Sequence, residues 1–290
     1  MLFAVAGVTG NTGKVVADTL LSQGHAVRVI VRDAAKGEAF AARGAEVAVA
    51  DLGDAAALTA ALTGVDGAWL LIPPNMGAPD FRAYQKATGE ALVAAVAAAA
   101  VPHVVLLSSV GAHLPSGTGP IAALYPVEAA LSKLPATGVS LLRAGYFMEN
   151  LPGNFGMLDQ GLLVAFHSGE LAIPMVATRD IGATAAALLV EGPPAPGHAR
   201  VVELSGVDVT FQDVAGTLST LLGRSVAVHE LPTAAMSGAL QSFGVPAGLA
   251  DLYQEMTTGM VSGALGFEGG HRRVIAPTTV EQFLTGFFAR

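Results

Sequence analysis

The chain has 290 residues, 52% of them hydrophobic, a net charge of −8 and no cysteine. That length suits one large domain with a smaller appendage, and the apolar content supplies a sizeable core. The acidic balance and the lack of a basic run exclude a nucleic-acid surface, while the missing cysteines exclude disulfides, a thiolate nucleophile and any Cys-ligated metal.

Phe3 to Ala6 is an apolar run of strand length. Gly7, Gly10 and Gly13 follow at intervals of three, and the pattern turns helical from Lys14 to Gln23. A strand that breaks into a glycine turn and opens a helix is a dinucleotide-binding geometry. The first glycine permits the tight turn, the second lets a pyrophosphate approach the backbone, and the third lets helix and strand pack closely. The phosphates then rest on the free N–H groups and positive dipole end of the helix. Thr9, Asn11 and Thr12 add side-chain donors.

Ala26 to Val31 is a second strand, ending in Arg32-Asp33. An acid at this strand end bonds a ribose 2′-OH, whereas an arginine suits a 2′-phosphate. Arg32 therefore points to NADP(H), with Lys36 as helper; a solvated strand-end charge is the plainer alternative, and Asp33 keeps NAD(H) open. A helix from Ala35 to Arg43 leads to a third strand, Glu46 to Ala50, and then Asp51-Leu52. The Asp51 carboxylate either accepts from an adenine amino group or faces the first turn of a helix over Ala55 to Leu62. Gly67 to Ile72 is a fourth strand, stopped by Pro73-Pro74, so Ile72 and Pro73 stand at the carboxyl edge where ligands bind in parallel sheets.

Ala91 to Val110 is nearly unbroken apolar sequence of membrane-spanning length, but Pro102-His103 cuts it. The first half belongs to an alanine-rich helix from Asp80 to Ala100, and Val104 to Leu107 is a buried fifth strand. With no basic leader at the N-terminus, the expected location is cytoplasmic. A helix over Pro126 to Leu134, a strand at Val139 to Arg143, a helix over Asp180 to Val190 and a strand at Arg200 to Leu204 continue the alternation. The fold class is α/β, a Rossmann-type doubly wound parallel sheet with right-handed crossovers. From Phe211 the texture changes: helices over Phe211 to Leu222, within Met236 to Met260 and over Thr278 to Phe288, with a short strand at Val226 to Glu230, make a small, mostly helical C-terminal cap. The Rossmann domain is assigned residues 1–150 and 176–204, and the cap 151–175 and 205–290.

Ser108 and Ser109, at the end of the fifth strand, stand where a hydroxyl can reach a nicotinamide or a substrate carbonyl; backbone-bonded strand-end serines are the alternative. The usual proton-donating partner on such a scaffold is a tyrosine with a lysine four residues on. None of the four tyrosines has it: Tyr84, Tyr125, Tyr146 and Tyr253 are followed by Thr88, Ala129, Asn150 and Thr257. Tyr125, beside the following helix, is the nearest substitute acid, and Lys133 reads as a solvated charge. The seven histidines show no ligand spacing, so no metal site is readable. The loop Ala144 to Asn150 places Tyr146, Phe147 and Asn150 at the sheet edge as a wall for a substrate.

GVTGNTGK at residues 7–14, VRD at 31–33, SSVGAH at 108–113, LLRAGYFMENL at 141–151 and TRDIGATAAALL at 178–189 together resemble the NmrA-like family of atypical short-chain dehydrogenases/reductases. The resemblance spans nearly the whole chain. It implies that Gly7, Thr9, Gly10, Asn11, Thr12 and Gly13 hold a pyrophosphate, Arg32 a 2′-phosphate, and Ile72 and Pro73 the adenosine, with Tyr146, Phe147 and Asn150 near the nicotinamide. The branch related to isoflavone reductases carries a lysine early in the helix after the fifth strand, and this chain has none between Lys86 and Lys133. Glu128 stands where quinone-reductase-like members carry a glutamate. A quinone takes hydride with little acid assistance, needing mainly proximity and orientation. The expected function is thus NADPH-preferring hydride transfer to a small hydrophobic acceptor such as a quinone, with no membrane partner and the chain acting as monomer or homodimer. A non-enzymatic NADP(H)-binding redox sensor is the second class, favoured by the missing Tyr/Lys pair. A sugar-nucleotide epimerase, which also needs that pair, comes third.

Overall fold

The structure is a computed structural model and describes residues 1–289. In chain order the first half contains β1 (Leu2–Ala6), α1 (Asn11–Ser22), β2 (Ala26–Val31), α2 (Glu38–Ala41), β3 (Glu46–Val49), α3 (Ala55–Leu62), β4 (Gly67–Leu70), α4 (Phe81–Ala99), β5 (His103–Ser109), α5 (Leu124–Leu131) and β6 (Gly138–Ala144). The second half contains β7 (Tyr146–Phe147), β8 (Leu162–Ala165), β9 (Ile173–Val176), α6 (Thr178–Glu191), β10 (Ala199–Ser205) and β11 (Asp208–Val209). It closes with α7 (Phe211–Leu222), β12 (Ala227–Glu230), α8 (Met236–Ser242), α9 (Ala247–Val261), β13 (Arg272–Ile275) and α10 (Val280–Phe288).

Eight strands form one parallel sheet in the order β13-β10-β6-β5-β4-β1-β2-β3. The order reverses between β1 and β4, which is where doubly wound sheets bind ligands. Strands such as VVLL within β5 and GVSLLRA in β6 are buried on both faces, as expected when helices cover both sides of a parallel sheet. One core lies under α1 and α6 around Phe3, Trp69 and Leu189, the other under α3, α4 and α5 around Leu58, Leu92 and Leu106. Among the described residues no helix is long and apolar enough to cross a membrane.

The main sheet has a strand that sequence patterning missed. Arg272–Ile275, within the stretch expected to be cap, pairs in parallel with β10 and forms the sheet's edge. Two arginines at its start mask it: an edge strand buries little, so its sequence need not be apolar. The cap also contains sheet, since β8 pairs with β12 and β9 with both β7 and β11. The expected helix over Ala35 to Arg43 forms a 3₁₀ turn, Ala34–Gly37, before α2. The Asp33 side chain caps that turn by accepting from the Ala35 amide at 3.1 Å.

Candidate functional site

At the end of β1, Gly7 turns the chain with φ +67°, a conformation that favours glycine. The Gly10 amide donates to the Gly7 carbonyl at 2.9 Å. Gly10 then caps α1 without a side chain, and the first turn of that helix contains no acid. Its amides and dipole end are thus free for an anion. At Gly13 a Cβ would fall 2.4 Å from the Ala6 carbonyl oxygen and 2.5 Å from the Gly7 carbonyl carbon. Only glycine lets α1 lie this close to β1. At Gly10 the nearest atom to such a Cβ is 3.4 Å away, so the space in front of it stays open.

A cleft of about 230 Å³ runs from this turn along the carboxyl edge and is lined by Gly7, Thr9, Arg32, Lys36, Asp51 and Pro73, among others. Leu52 also lines it. Arg32 and Lys36 are exposed and carry no ion pair among the described residues. One Asp33 carboxylate oxygen caps the 3₁₀ turn, and the side chain is exposed beside Arg32. Asp51 accepts from the Gly53 amide at 2.8 Å through one carboxylate oxygen, leaving the other to the cleft. A glycine cradle with unneutralised amides, followed by two unpaired cations, is a donor set that fits a dinucleotide with an extra phosphate. Ile72 departs from expectation: its side chain packs into the core against α4 rather than lining the cleft.

Beyond β6, Gly145 donates to the Leu204 carbonyl at 2.8 Å. A Cβ at Gly145 would stand 2.1 Å from the Pro174 oxygen, so glycine lets the chain cross to β7, which pairs with β9. This crossing sets Tyr146, Phe147 and Asn150 in the wall of a cavity. The cavity has two adjoining parts of about 240 and 450 Å³ that share Tyr146, Asn150, Ile173, Tyr253, Met256 and Met260. Met76 lines both the larger part and the cleft beside the glycine turn, so the two spaces adjoin at that side chain.

Two expected catalytic groups lie elsewhere. The Ser108 hydroxyl is buried and donates to Glu128; its neighbour Ser109 lines the cavity instead. Alternation along β5 decides this, because successive side chains point to opposite faces. Tyr125 lines a separate groove between α4 and α5, with Gln85 and Val93, and lies outside the cavity. Glu128 is no free acid either. Arg143 grips it with Nε at 3.1 Å and Nη2 at 2.7 Å, both residues being 5% exposed. Arg143 also donates to Glu268 at 2.6 Å. Burial opposes the Arg143 charge, but its bonds to Glu128 and Glu268 outweigh that and hold its pKa above the usual value. Glu149 is occupied too, both of its oxygens accepting from the Thr178 amide at 3.0 Å.

Patterning overlooked Tyr253. The signal was present, for Tyr253, Met256 and Met260 fall on one helical face, and all three reach the cavity. Nothing local says that this face meets the loop after β6.

Comparison with known proteins gives a consistent picture. The model of the NmrA-like family matches residues 2–265. "Quinone oxidoreductase 2" of Escherichia coli K12 is 31% identical over 273 residues, covering 91% of this chain and 90% of that one. "NAD(P)H azoreductase" of Xenophilus azovorans is 28% identical over 259 residues, covering 88% and 86%. The crystal structure of an NADPH-dependent quinone oxidoreductase from Escherichia coli, complexed with NADPH, superposes with a TM-score of 0.82 at 28% identity, covering 99% and 100% of the two chains.

Proposed function

The chain belongs to the NmrA-like family and is an NAD(P)H-dependent oxidoreductase, and we propose that it reduces a small, flat, hydrophobic acceptor of the quinone class with NADPH preferred over NADH. The observation that carries this reading is that a glycine-turn cleft bearing unpaired cations and an apolar cavity adjoin at Met76, which lines both. The first holds a charged dinucleotide and the second a neutral ring.

Bound NADPH supplies the hydride. The chain's own contribution is binding and orientation. The Gly7 to Gly13 turn, with Thr9, Asn11 and Thr12, receives the pyrophosphate on backbone and side-chain donors. Arg32 and Lys36 meet the 2′-phosphate, Asp51 and Leu52 border the adenine, and the backbone at Ile72 with Pro73 borders the adenosine. Tyr146, Phe147 and Asn150 flank the acceptor and limit how its ring can lie, which supplies proximity and alignment. The apolar walls around Ile173, Met256 and Met260 displace water and favour a neutral ring over a hydrated, charged one.

No residue here replaces the absent Tyr/Lys pair as a strong acid. That suits an acceptor whose reduced anion is delocalised. The test is NADPH oxidation by purified protein, followed by absorbance with and without 1,4-benzoquinone. Acceptor-dependent oxidation well above the uncatalysed rate is expected; tight NADPH binding without turnover across several quinones would overturn the reading.

A further inference from the structure

Tyr253 reaches the cavity from α9, far along the chain from the loop that carries Tyr146. Its position is held firmly. Phe81 of α4 packs against Leu249 and Leu252, and Arg82 donates to Glu255 at 3.0 Å. α9 also lies so close to the 117–123 segment that a Cβ at Gly119 would stand 2.0 Å from the Leu252 oxygen. The phenol therefore reaches, from a docked helix, the same cavity that a phenol of the sheet-edge loop lines.

Both hydroxyls are available. The Tyr253 hydroxyl meets only the Met76 sulfur, at 3.9 Å, a weak acceptor. The Tyr146 hydroxyl makes no hydrogen bond among the described residues, yet its side chain lines both parts of the cavity. In the smaller part the polar side chains are Ser109, Tyr146, Asn150 and Tyr253, and none carries a charge; the larger part adds His167 and Glu149, whose two oxygens are held by Thr178. Burial holds the Tyr146 proton well above the usual phenol range, with Tyr253 nearby adding to the effect, and burial does the same for Tyr253. Both phenols therefore act as donors and not as phenolates at neutral pH.

We infer that Tyr253 and Tyr146 form a two-phenol clamp for a carbonyl oxygen of the acceptor, so that the cavity selects neutral, flat molecules bearing such an oxygen. The inference rests on the oxidoreductase reading above. Hydride transfer adds two electrons and one hydrogen to a quinone and leaves its anion. The clamp donates hydrogen bonds to the charged oxygen without giving up either phenolic proton. One proton from water then completes the hydroquinone, and the nicotinamide is left oxidised. Donors fixed where charge develops stabilise the transition state more than the ground state.

The experiment compares the wild type with Tyr253→Phe and Tyr146→Phe, which remove one oxygen and keep the ring. Calorimetric binding of 1,4-naphthoquinone and of naphthalene to the cofactor-free protein gives the first readout. Each variant is expected to bind naphthoquinone about 3- to 10-fold more weakly, the scale of one neutral hydrogen bond, and naphthalene unchanged. In NADPH-driven turnover kcat/KM for naphthoquinone should fall about 10- to 100-fold, with the NADPH dissociation constant unaltered. Equal weakening of both ligands would mean a packing role and would overturn the clamp, as would full kcat/KM in Tyr253→Phe. A wild type that never oxidises NADPH with quinones, but whose preference for naphthoquinone vanishes in the variants, would instead refute the quinone-reductase reading and leave the clamp standing.

Discussion

Replacing Arg32 by alanine tests the cofactor assignment most directly. Arg32 directly follows β2 and lines the cleft beside Lys36. Asp33, the one acid next to it, is engaged by the Ala35 amide. A 2′-phosphate placed here gains a charge-assisted hydrogen bond, worth about 1.5–3 kcal/mol. Arg32 is exposed, so solvent screening pulls the value toward the lower end, and Lys36 retains part of the attraction in the variant. The expected loss for NADPH is about 1.5–2 kcal/mol, a 10- to 30-fold rise in dissociation constant. NADH, which lacks the phosphate, should change by no more than about twofold on the same reasoning. Fluorescence titration of both reduced cofactors measures this, and the gap between them should narrow at high salt as the phosphate contact is screened. Equal losses for the two cofactors would refute the reasoning, and so would a selective loss of NADH affinity on replacing Asp33.

Four further outcomes follow from the same structure. Gly13→Ala drives a Cβ to within 2.5 Å of backbone at Ala6 and Gly7 and should destabilise the fold by about 1–3 kcal/mol. Gly10→Ala meets only a 3.4 Å contact and should keep its melting temperature while losing cofactor affinity; thermal melts with and without NADPH separate the two. Glu128→Ala strips the buried Arg143 of its bidentate partner and should cost about 3 kcal/mol in urea unfolding, the lower end for breaking a buried pair, because Glu268 remains. A cost below about 1 kcal/mol would show that the pair contributes little beyond a surface ion pair. Burial, with Arg200 adding to it, lowers the His103 pKa from 6.5 to about 4. The unfolded chain therefore binds a proton that the folded chain refuses. This contribution is complete above pH 6.5 and shrinks as pH falls, by up to about 3 kcal/mol near pH 4. Urea midpoints across that window and the His103 ring resonances check it; a ring titrating near its ordinary value would count against it.

The glycine turn was legible in the sequence because its causes are local. A positive φ at Gly7, the backbone contact at Gly13 and the free first turn of α1 involve residues within one strand–turn–helix unit. The same holds for the apolar strands, whose composition reports burial on two faces, and for Arg32 at a strand end. Ser108 and Ser109 mark where that legibility ends. A run of two serines does not say which one faces the ligand, since a shift of one residue reverses the face. The pairing of β5 with β4 and β6 settled it, turning Ser108 to Glu128 and Ser109 to the cavity.

The identity of the residues was fixed by the sequence, but their companionship was not. Tyr125 looked closest to the chemistry along the chain and lies in another groove, whereas Tyr253, with no motif around it, shares the cavity with Tyr146. Glu128 was read only through a family resemblance and Arg143 only as a strand end; the packing of α5 against the sheet paired them. The sequence by itself determined the apolar strands of the main sheet, the glycine turn and the cationic end of the cleft, because short-range sterics and side-chain periodicity act between near neighbours. Only the tertiary structure decided the acceptor cavity, because its walls come from segments whose apolar faces are compatible with many partners and acquire one only when the whole core closes.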